Sequence, residues 1–325
     1  MSRTRVLTRY RQLVILTIAG LGAMLARSHP AIPVVGIGVH RLDRKSVEQV
    51  ERLGIGHVRY TLYWSLWRDE SYRREWKQGI NRAVQAGLDP LVVVHQSPFE
   101  DLQNRTLVYR LFAQFMQARA AEFPQVHAWQ LWNEMDIAFT EVFGAGHPEI
   151  SLRQRGLWYA EMLKLAYPAI KRGNPEALVV TGGIASPIAA GFLDGLYDAG
   201  ASYDVLAIHT YGFPLATTFE ARGAEARRIM RSHDDTRPLW NTEFGLEIGA
   251  MPNASRLSRS QVDSIQLDAW RSSVAGNAHG HIFERIYGYV LSEGHDEGYD
   301  LVRMDDSERP AYTWLRSWTH SHPLD

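Results

Sequence analysis

The sequence predicts an α/β protein, a single-domain (β/α)8 barrel preceded by a short N-terminal segment. Eight short apolar runs alternate with helical patterns along the 325 residues. Several runs are almost continuously apolar, as parallel strands buried on both faces should be. The longest irregular stretches follow predicted strand ends, where barrels of this type build their active sites. With 45% hydrophobic residues, the chain can bury the core that one large barrel needs.

Each predicted strand is short and lies between turn or helix signals. In chain order the strands cover Val34–His40, His57–Trp64, Leu91–His95, Ala128–Asn133, Ala177–Gly182, Val205–His209, Pro238–Glu243 and Ile286–Leu291. Strands that alternate with helices indicate parallel pairing through crossover connections, and eight such units close into a barrel. The alternative is an open doubly wound sheet, but no G-x-G-x-x-G or phosphate-loop signature follows any strand.

Helical segments lie between the strands, and the three longer ones that follow the first are amphipathic. The first begins with Ser46 followed three residues later by Gln49, a spacing that predicts a capping box. Pro310 suits the first turn of the last helix. The predicted helices are Ser46–Leu53, Ser71–Ala86, Arg105–Glu122, Leu152–Arg172, Gly191–Asp198, Phe219–Arg231, Ser258–Ala275 and one that starts near Pro310.

Residues 1–30 resemble a targeting segment. Four arginines precede an apolar run over Leu13–Ala26. That run is shorter than the roughly 20 apolar residues of a membrane-spanning helix and fits the core of a secretory signal. Met24 makes the cleavage site imperfect, so the alternatives are an uncleaved inner-membrane anchor and an amphipathic helix of a cytoplasmic protein. We expect a secreted or periplasmic catalytic domain over residues 31–325.

Composition excludes several function classes. The chain has 35 Lys and Arg against 36 Asp and Glu, so no basic excess suggests a nucleic-acid partner. It has no cysteine, which excludes disulfides, thiolate metal sites and a cysteine nucleophile. The 10 Trp and 14 Tyr can stack on sugar rings, although aromatic residues also fill cores.

Two glutamates end apolar strands on opposite sides of the predicted barrel. Trp129–Asp136 reads WQLWNEMD and places Glu134 after the fourth strand, while Leu239–Gly245 reads LWNTEFG and places Glu243 at the end of the seventh. Both carboxyl groups can therefore reach one substrate at the barrel mouth. Glycoside hydrolysis needs such a pair, one to protonate the leaving oxygen and the other to attack the sugar carbon or activate water. Nearby carboxyl groups also push their pKa values apart, which helps to keep the acid protonated.

With these motifs the chain, over about residues 34–318, resembles the clan of retaining glycosidases with a (β/α)8 barrel and catalytic glutamates on strands four and seven. That clan includes family 39 and family 5-like enzymes, β-xylosidases, cellulases and exopolysaccharide hydrolases. The resemblance implies that Glu134 is the acid/base, that Glu243 is the nucleophile and that Asn133 binds a sugar hydroxyl. It also implies that Arg59 supports the nucleophile and lowers its pKa. No cofactor is implied.

Further site residues are expected around this pair. His209 and Tyr211 lie two apart on strand six, so they share one face, and the resemblance places both near the sugar and the nucleophile. His40 and His95 end strands one and three, and we expect them to bind sugar hydroxyls, with structural roles as the alternative. Trp64 follows strand two and can stack on a sugar or pack in the core.

Strand eight departs from the pattern of the clan. The clan often has a tryptophan there whose ring forms one face of the sugar subsite, whereas this strand reads IYGYVL over Ile286–Leu291. Tyr289 is the expected replacement, and the identity of the sugar stays open.

These patterns predict a retaining hydrolase of β-linked polysaccharide or oligosaccharide, with transglycosylation as a related outcome. A non-catalytic polysaccharide-binding or assembly protein on the same barrel is the second hypothesis. A metal-dependent hydrolase is the third, with His40, His95 and His209 as ligands, but no H-x-H or H-E-x-x-H spacing supports a metal.

Overall fold

The computed structural model describes residues 34–98, 104–137, 150–186, 188, 191–212, 214–246, 248, 251, 253–292 and 299–322. The chain divides into two compact units, Met1–Ile32 and Pro33–Asp325, and all described residues belong to the second. The expected targeting segment over residues 1–30 lies outside the described residues. Within them, no helix combines the length and the apolar character that a membrane crossing requires.

Eight strands form one parallel sheet, which confirms the predicted number and the direction of pairing. All except the last begin and end within two residues of their predicted bounds. They are β1 Val34–Val39, β2 His57–Tyr63, β3 Asp89–His95, β4 Ala128–Leu131, β5 Leu178–Val180, β6 Leu206–Tyr211, β7 Leu239–Gly245 and β8 Arg285–Gly288.

The sheet curls until its two edge strands meet. Its order is β5, β4, β3, β2, β1, β8, β7, β6, and β1 pairs with β8. Parallel bridges from Val180 to Val205 and from Ile184 to Ile208 connect the β5 and β6 sides. The sheet is therefore a closed (β/α)8 barrel, and the open doubly wound alternative is wrong.

The helices alternate with the strands as expected. They are α1 Arg44–Leu53, α2 Glu70–Gln85, α3 Arg105–Glu122, α4 Leu152–Gly173, α5 Phe192–Asp198, α6 Leu215–Ser232, α7 Arg259–Gly280 and α8 Pro310–Ser321. Pro310 occupies the first turn of α8 and Ser258 forms a capping box with Gln261 at α7. The cap predicted at Ser46 is wrong, because Asp43 accepts the Ser46 N–H and starts the helix earlier.

Two apolar clusters hold the barrel together. A small cluster fills the barrel interior below the mouth with Leu91, Ala128, Val180, Val205, Ala207, Trp240 and Tyr287. The larger cluster lies between the strands and the surrounding helices and includes the buried Trp76, Trp129 and Trp270. Burying each such side chain contributes roughly 1.5–3 kcal/mol or more. The interior below the mouth is thus packed with apolar side chains.

Candidate active site

Glu134 reaches the barrel mouth because the backbone turns sharply after β4. The strand ends at Leu131, two residues before its predicted end, and Trp132 and Glu134 have φ values of 71° and 49°. Such left-handed backbone is unfavourable for residues other than glycine and is concentrated at functional sites. Hydrogen bonds from the N–H of Trp132 to Val94 and from the N–H of Glu134 to Gly182 hold the turn. The carboxyl group is left partly exposed at the mouth.

Glu243 lies inside β7, which continues to Gly245 instead of ending at the glutamate as predicted. The side chain is buried and both of its oxygens are occupied. Oε1 lies 2.5 Å from the Arg59 guanidinium, and Oε2 accepts a hydrogen bond from the Tyr211 hydroxyl. Burial on its own raises the pKa of Glu243, but the Arg59 charge and the Tyr211 hydrogen bond hold that pKa below its ordinary value. The carboxylate form is therefore favoured.

His209 connects the two carboxyl groups. Its Nδ1 lies 2.7 Å from Oε1 of Glu134 and 3.7 Å from Oε2 of Glu243. The ring is fully buried, and it fits because Gly183 has no side chain. A Cβ on Gly183 would lie 2.1 Å from Nε2 of His209, and the φ of 70° at that residue also favours glycine.

Asn133 is oriented by Arg59. The guanidinium donates from Nη2 to Oδ1 of Asn133 at 2.7 Å. Because arginine can only donate, the amide oxygen must face Arg59 and the amide nitrogen must face away from it. The Asn133 side chain also lines the cleft at the mouth, so this N–H group is available to a hydroxyl group in the cleft.

A cleft of about 140 Å³ opens beside Glu243 at the barrel mouth. Its walls include His40, His95 and Tyr289 together with Tyr63. Burial, supported by the positive charge of Arg59, lowers the pKa of His95 to about 4, so its imidazole is neutral at neutral pH. His40 is exposed at the rim, 3.4 Å from the Tyr289 hydroxyl. Both histidines can therefore offer hydrogen bonds to a ligand.

Tyr289 follows β8, beyond the observed end of that strand at Gly288. Its ring meets Tyr211 and Tyr299 edge-on, with centroids 6.2 Å and 5.5 Å away. The three rings form an aromatic wall next to the nucleophile, at the position where the resemblance leads us to look for a tryptophan. Tyr299 was not predicted as a site residue, although the segment after strand eight resembles the returning segment of the clan; its ring joins the wall through contacts with Tyr211 and Tyr289.

Trp64 does not line the cleft. It begins a 3-10 turn after β2, is only 7% exposed, and packs on Phe112 and Phe115 at centroid distances of 5.4 Å and 5.8 Å. The side chain belongs to the core, so the sugar-stacking role expected of it has no surface through which to act. A tryptophan that follows a strand has the same local pattern in either role.

The three histidines considered as metal ligands do not form a cluster among the described residues. The group there with metal-like spacing consists of Glu134, His209 and Glu243, with one ligand atom of each within 4.8 Å of the others. Arg59 and Tyr211 already donate to both oxygens of Glu243. A fixed guanidinium at this point also repels a cation, so the donor set does not suit a metal.

Several residues that support the site were not predicted. Gln130 and Thr242 are fully buried between Arg59 and His209. Arg222 donates to four backbone carbonyls behind β5 and β6, and Asp136 accepts from two N–H groups in the same region. Gln130 gives one usable signal, a polar residue within an otherwise apolar strand. The others depend on partners that are distant in sequence.

No protein-family model matches the chain, and no curated protein sequence matches it either. Solved structures do match. A GH39 β-xylosidase from Caulobacter crescentus is 16% identical, with 90% of this chain and 73% of that chain covered at a TM-score of 0.62. A family 1 β-glucosidase from Thermotoga maritima is 11% identical, with 91% and 99% covered at a TM-score of 0.66.

Fungal β-1,4-galactanases are similar to the same extent. They are 12% identical, with 88% of this chain and 100% of that chain covered at a TM-score of 0.66. At such identities the likeness concerns the course of the backbone, since fold is retained after side chains have diverged. The chain therefore has the (β/α)8 barrel fold that these glycosidases share.

Proposed function

We propose that the protein is a retaining glycoside hydrolase for a β-linked polysaccharide or oligosaccharide. The close pairing of Glu134 and Glu243 carries this proposal, because an oxygen of one lies within 4.8 Å of an oxygen of the other. Retaining enzymes separate their two carboxyl groups by about 5–5.5 Å, whereas inverting enzymes need roughly 6.5–9.5 Å to admit a water. The short spacing supports retention.

In the first step Glu243 attacks the anomeric carbon while Glu134 gives its proton to the departing glycosidic oxygen. A covalent bond forms between sugar and carboxylate, and the bond to the leaving group breaks. Arg59 and Tyr211 favour the role of Glu243 as nucleophile, because they stabilise its carboxylate form before attack. Glu134 uses one oxygen for His209, and the other has no protein partner among the described residues, so it is free to face the leaving group.

In the second step water attacks the anomeric carbon and Glu134 takes its proton. The bond to Glu243 breaks, and the sugar leaves with its original configuration. Asn133, His95 and Tyr289 line the cleft where the reacting sugar would lie, and they offer hydrogen bonds and an aromatic edge. An acceptor sugar in place of water would give transglycosylation by the same step.

The similar solved structures are a β-xylosidase, a β-glucosidase and β-1,4-galactanases. Their fold supports a β-glycoside substrate, but they differ in the sugar, so they do not select one. We therefore test the protein on a panel of polysaccharides and aryl β-glycosides and follow the first anomer released by NMR. We expect the β-anomer first. Release of the α-anomer first would contradict the double displacement, and tight binding without turnover would favour the non-catalytic alternative.

Glu134→Gln and Glu243→Gln should each lower kcat by roughly 10²–10⁴-fold or more, because each removes a reacting group. The thermal midpoint should stay close to that of the unaltered protein. Glu122→Gln, at the end of α3 and away from the cleft, is the matched control and should keep full activity. A 2-deoxy-2-fluoro β-glycoside should label a peptide that contains Glu243, and labelling at another residue would contradict its role as nucleophile.

We further propose that the catalytic domain acts outside the cytoplasm, with residues 1–30 as signal or anchor. The basic start and the short apolar run support this proposal. Fractionation of cells that express the full chain tests it, with mass spectrometry of the mature N-terminus to separate a cleaved signal from a retained anchor. Full-length protein in the cytoplasmic fraction would contradict export.

A further inference from the structure

A buried chain of hydrogen bonds runs across the barrel from Arg59 to His209. Arg59 Nε donates to Oε1 of Gln130 at 2.8 Å, and Nε2 of Gln130 donates to Oγ1 of Thr242 at 2.9 Å. Thr242 Oγ1 in turn lies 3.1 Å from Nε2 of His209. Gln130 and Thr242 are fully buried, so water cannot substitute for these partners. This series of hydrogen bonds therefore links Arg59, the cation beside Glu243, to His209, the histidine beside Glu134.

The direction of every hydrogen bond in this series follows from Arg59, the residue at which the series begins. A guanidinium can only donate, so Gln130 must present its carbonyl oxygen to Arg59. Its amide nitrogen then faces Thr242 and uses its second N–H on the backbone carbonyl of Thr181 at 3.0 Å. The partners of the amide oxygen and those of the amide nitrogen therefore require the same orientation of the Gln130 side chain. The Thr242 hydroxyl is thus an acceptor toward Gln130 and must place its own proton elsewhere.

Among the residues that the structure describes, His209 is the group in position to take that proton. Among the described residues, Gln130 and His209 are the hydrogen-bond partners of Thr242 Oγ1. Since Gln130 donates, Nε2 of His209 must accept and carries no proton. The ring proton is then on Nδ1, which lies 2.7 Å from Oε1 of Glu134. A doubly protonated His209 would leave the buried Thr242 hydroxyl without an acceptor.

We propose that Gln130 and Thr242 are positioning residues that hold His209 as the neutral Nδ1–H tautomer. In that state the neutral His209 ring donates one hydrogen bond to Glu134. It has no free nitrogen facing Glu134 that could take the carboxyl proton. An imidazolium between two carboxyl groups would instead favour ionisation of both and leave no acid for the leaving group. The proposal about the tautomer is independent of the proposed function, and only its catalytic consequence rests on that function.

The test reads the tautomer directly. The full-length protein is labelled with ¹⁵N-histidine, and long-range ¹H–¹⁵N spectra are recorded at neutral pH. A His209→Gln variant identifies the His209 signals. We expect one protonated nitrogen, Nδ1, and one unprotonated nitrogen, Nε2. An Nε2–H tautomer or an imidazolium in the unaltered protein would overturn the proposal, whether or not any glycosidase activity is found.

Gln130→Glu is the sharpest variant, because it keeps the shape of the side chain and the bond from Arg59, reverses the direction of the hydrogen bond to Thr242, and gives up the bond to the Thr181 carbonyl. A carboxylate there accepts at both oxygens, so the Thr242 hydroxyl must donate to it and can then accept from His209. We expect the His209 proton to move to Nε2 or a second proton to be gained. An unchanged Nδ1–H signal in Gln130→Glu would contradict control of the tautomer by Gln130.

Thr242→Val removes the hydroxyl at nearly constant volume and should also abolish the single tautomer. Thr210→Val is the matched control, since Thr210 is equally buried, neighbours His209 and bonds to Asn241 instead. It should leave the His209 signals unchanged. On the substrate found in the glycoside panel, both Gln130→Glu and Thr242→Val should lower kcat at least tenfold, with little change in KM. A rise in KM alone would indicate a role in binding and oppose the catalytic part.

Discussion

Among the individual residues of the site, the two glutamates have opposite surroundings. Glu243 is buried and receives two donors, a guanidinium and a hydroxyl. Glu134 is partly exposed and has His209 as its hydrogen-bonding partner. Two identical side chains are thereby suited to different work, attack by one and proton transfer by the other. That asymmetry arises from side chains on other strands of the barrel and from the backbone turn at Glu134.

Tyr211→Phe should move the acidic limb of the kcat/KM profile to higher pH. The hydroxyl stabilises the ionised form of Glu243, and its loss lets the pKa of Glu243 rise. Removal of one hydrogen bond to a charge corresponds to a shift of about one pH unit. The measurement is a pH profile on an aryl β-glycoside, with Tyr167→Phe as the control, because Tyr167 bonds to Asp204 away from the site. A shift toward lower pH would contradict this account of the nucleophile.

The candidate residues differ in how far sequence could identify them. Glu134, Asn133 and Glu243 follow directly from strand-end motifs, and the structure joins them to Arg59, His209 and Tyr211 through hydrogen bonds. Their catalytic roles stay predictions. Thr242 and Gly183 could not be assigned, because each acts through a partner on another strand, and the polar Gln130 within an apolar strand signals a site residue without revealing its partners. Trp64 was a candidate that lies in the core instead. The local sequence pattern does not distinguish a tryptophan that stacks on a sugar from one that packs in the core.

Among the secondary-structure elements, helix α6 stabilises the backbone around His209 through hydrogen bonds from one of its side chains. Arg222 on this helix donates to the carbonyls of His209, Ile184, Ala185 and Ser186 at 2.9–3.1 Å. Those carbonyls lie on β6 and on the segment after β5, where the barrel closes through isolated bridges instead of a continuous ladder. One side chain therefore supplies part of the cross-linking that a full strand pairing gives elsewhere.

Arg222→Met should destabilise the protein by about 2–3 kcal/mol, because it leaves several carbonyls without their charged donor. It should also lower kcat, since the backbone of His209 loses a support. The control is Arg228→Met on the same helix, where Arg228 is exposed and pairs only loosely with Glu225. Urea unfolding of both variants measures the difference. Equal stability of the two would show that the hydrogen bonds of Arg222 contribute nothing beyond helix propensity.

Element boundaries mark the limit of prediction from periodicity. The α3 helix begins and ends where its apolar pattern predicts, at Arg105 and Glu122. β4 ends early because Trp132 adopts left-handed backbone, a conformation that tryptophan does not favour and that no local pattern reveals. Helix α1 starts early because Asp43 competes with Ser46 for the cap. In both cases a specific hydrogen bond or dihedral angle overrides the pattern.

Over the barrel as a whole, chemistry and stability are separated along the barrel axis. The carboxyl ends of the strands carry Glu134 and Glu243, while the opposite ends carry a compact polar cluster around Asp89. Asp89 begins β3 and lies 3.2 Å from His57, 3.1 Å from His127 and 3.2 Å from Arg285. These four residues come from β2, β3, β8 and the position just before β4, so one carboxylate connects the ends of four strands. Such an arrangement suits a role in stability rather than catalysis.

Asp89 should make the barrel sensitive to acid. Burial raises the pKa of Asp89, but hydrogen bonding to His57 and the charges of His57, Arg285 and His127 outweigh it and lower the pKa from 3.8 to about 2. A carboxyl group whose pKa is lower in the folded state stabilises the fold fully above the unfolded value, and that contribution fades as pH falls toward the folded value. The window is therefore about pH 4 to 2, and the contribution above it is about 2 kcal/mol.

Asp89→Asn tests this contribution, because it keeps the shape and removes the charge. At pH 5 the free energy of unfolding of the variant should be about 2 kcal/mol lower than that of the unaltered protein. Between about pH 4 and pH 2 the gap should shrink, since the unaltered protein loses the same contribution by protonation. Asp268→Asn, at an exposed position of α7, should track the unaltered protein throughout. If the gap instead stays constant down to the lowest pH, the substitution destabilises through altered packing, and charge at the base of the barrel does not set its acid stability.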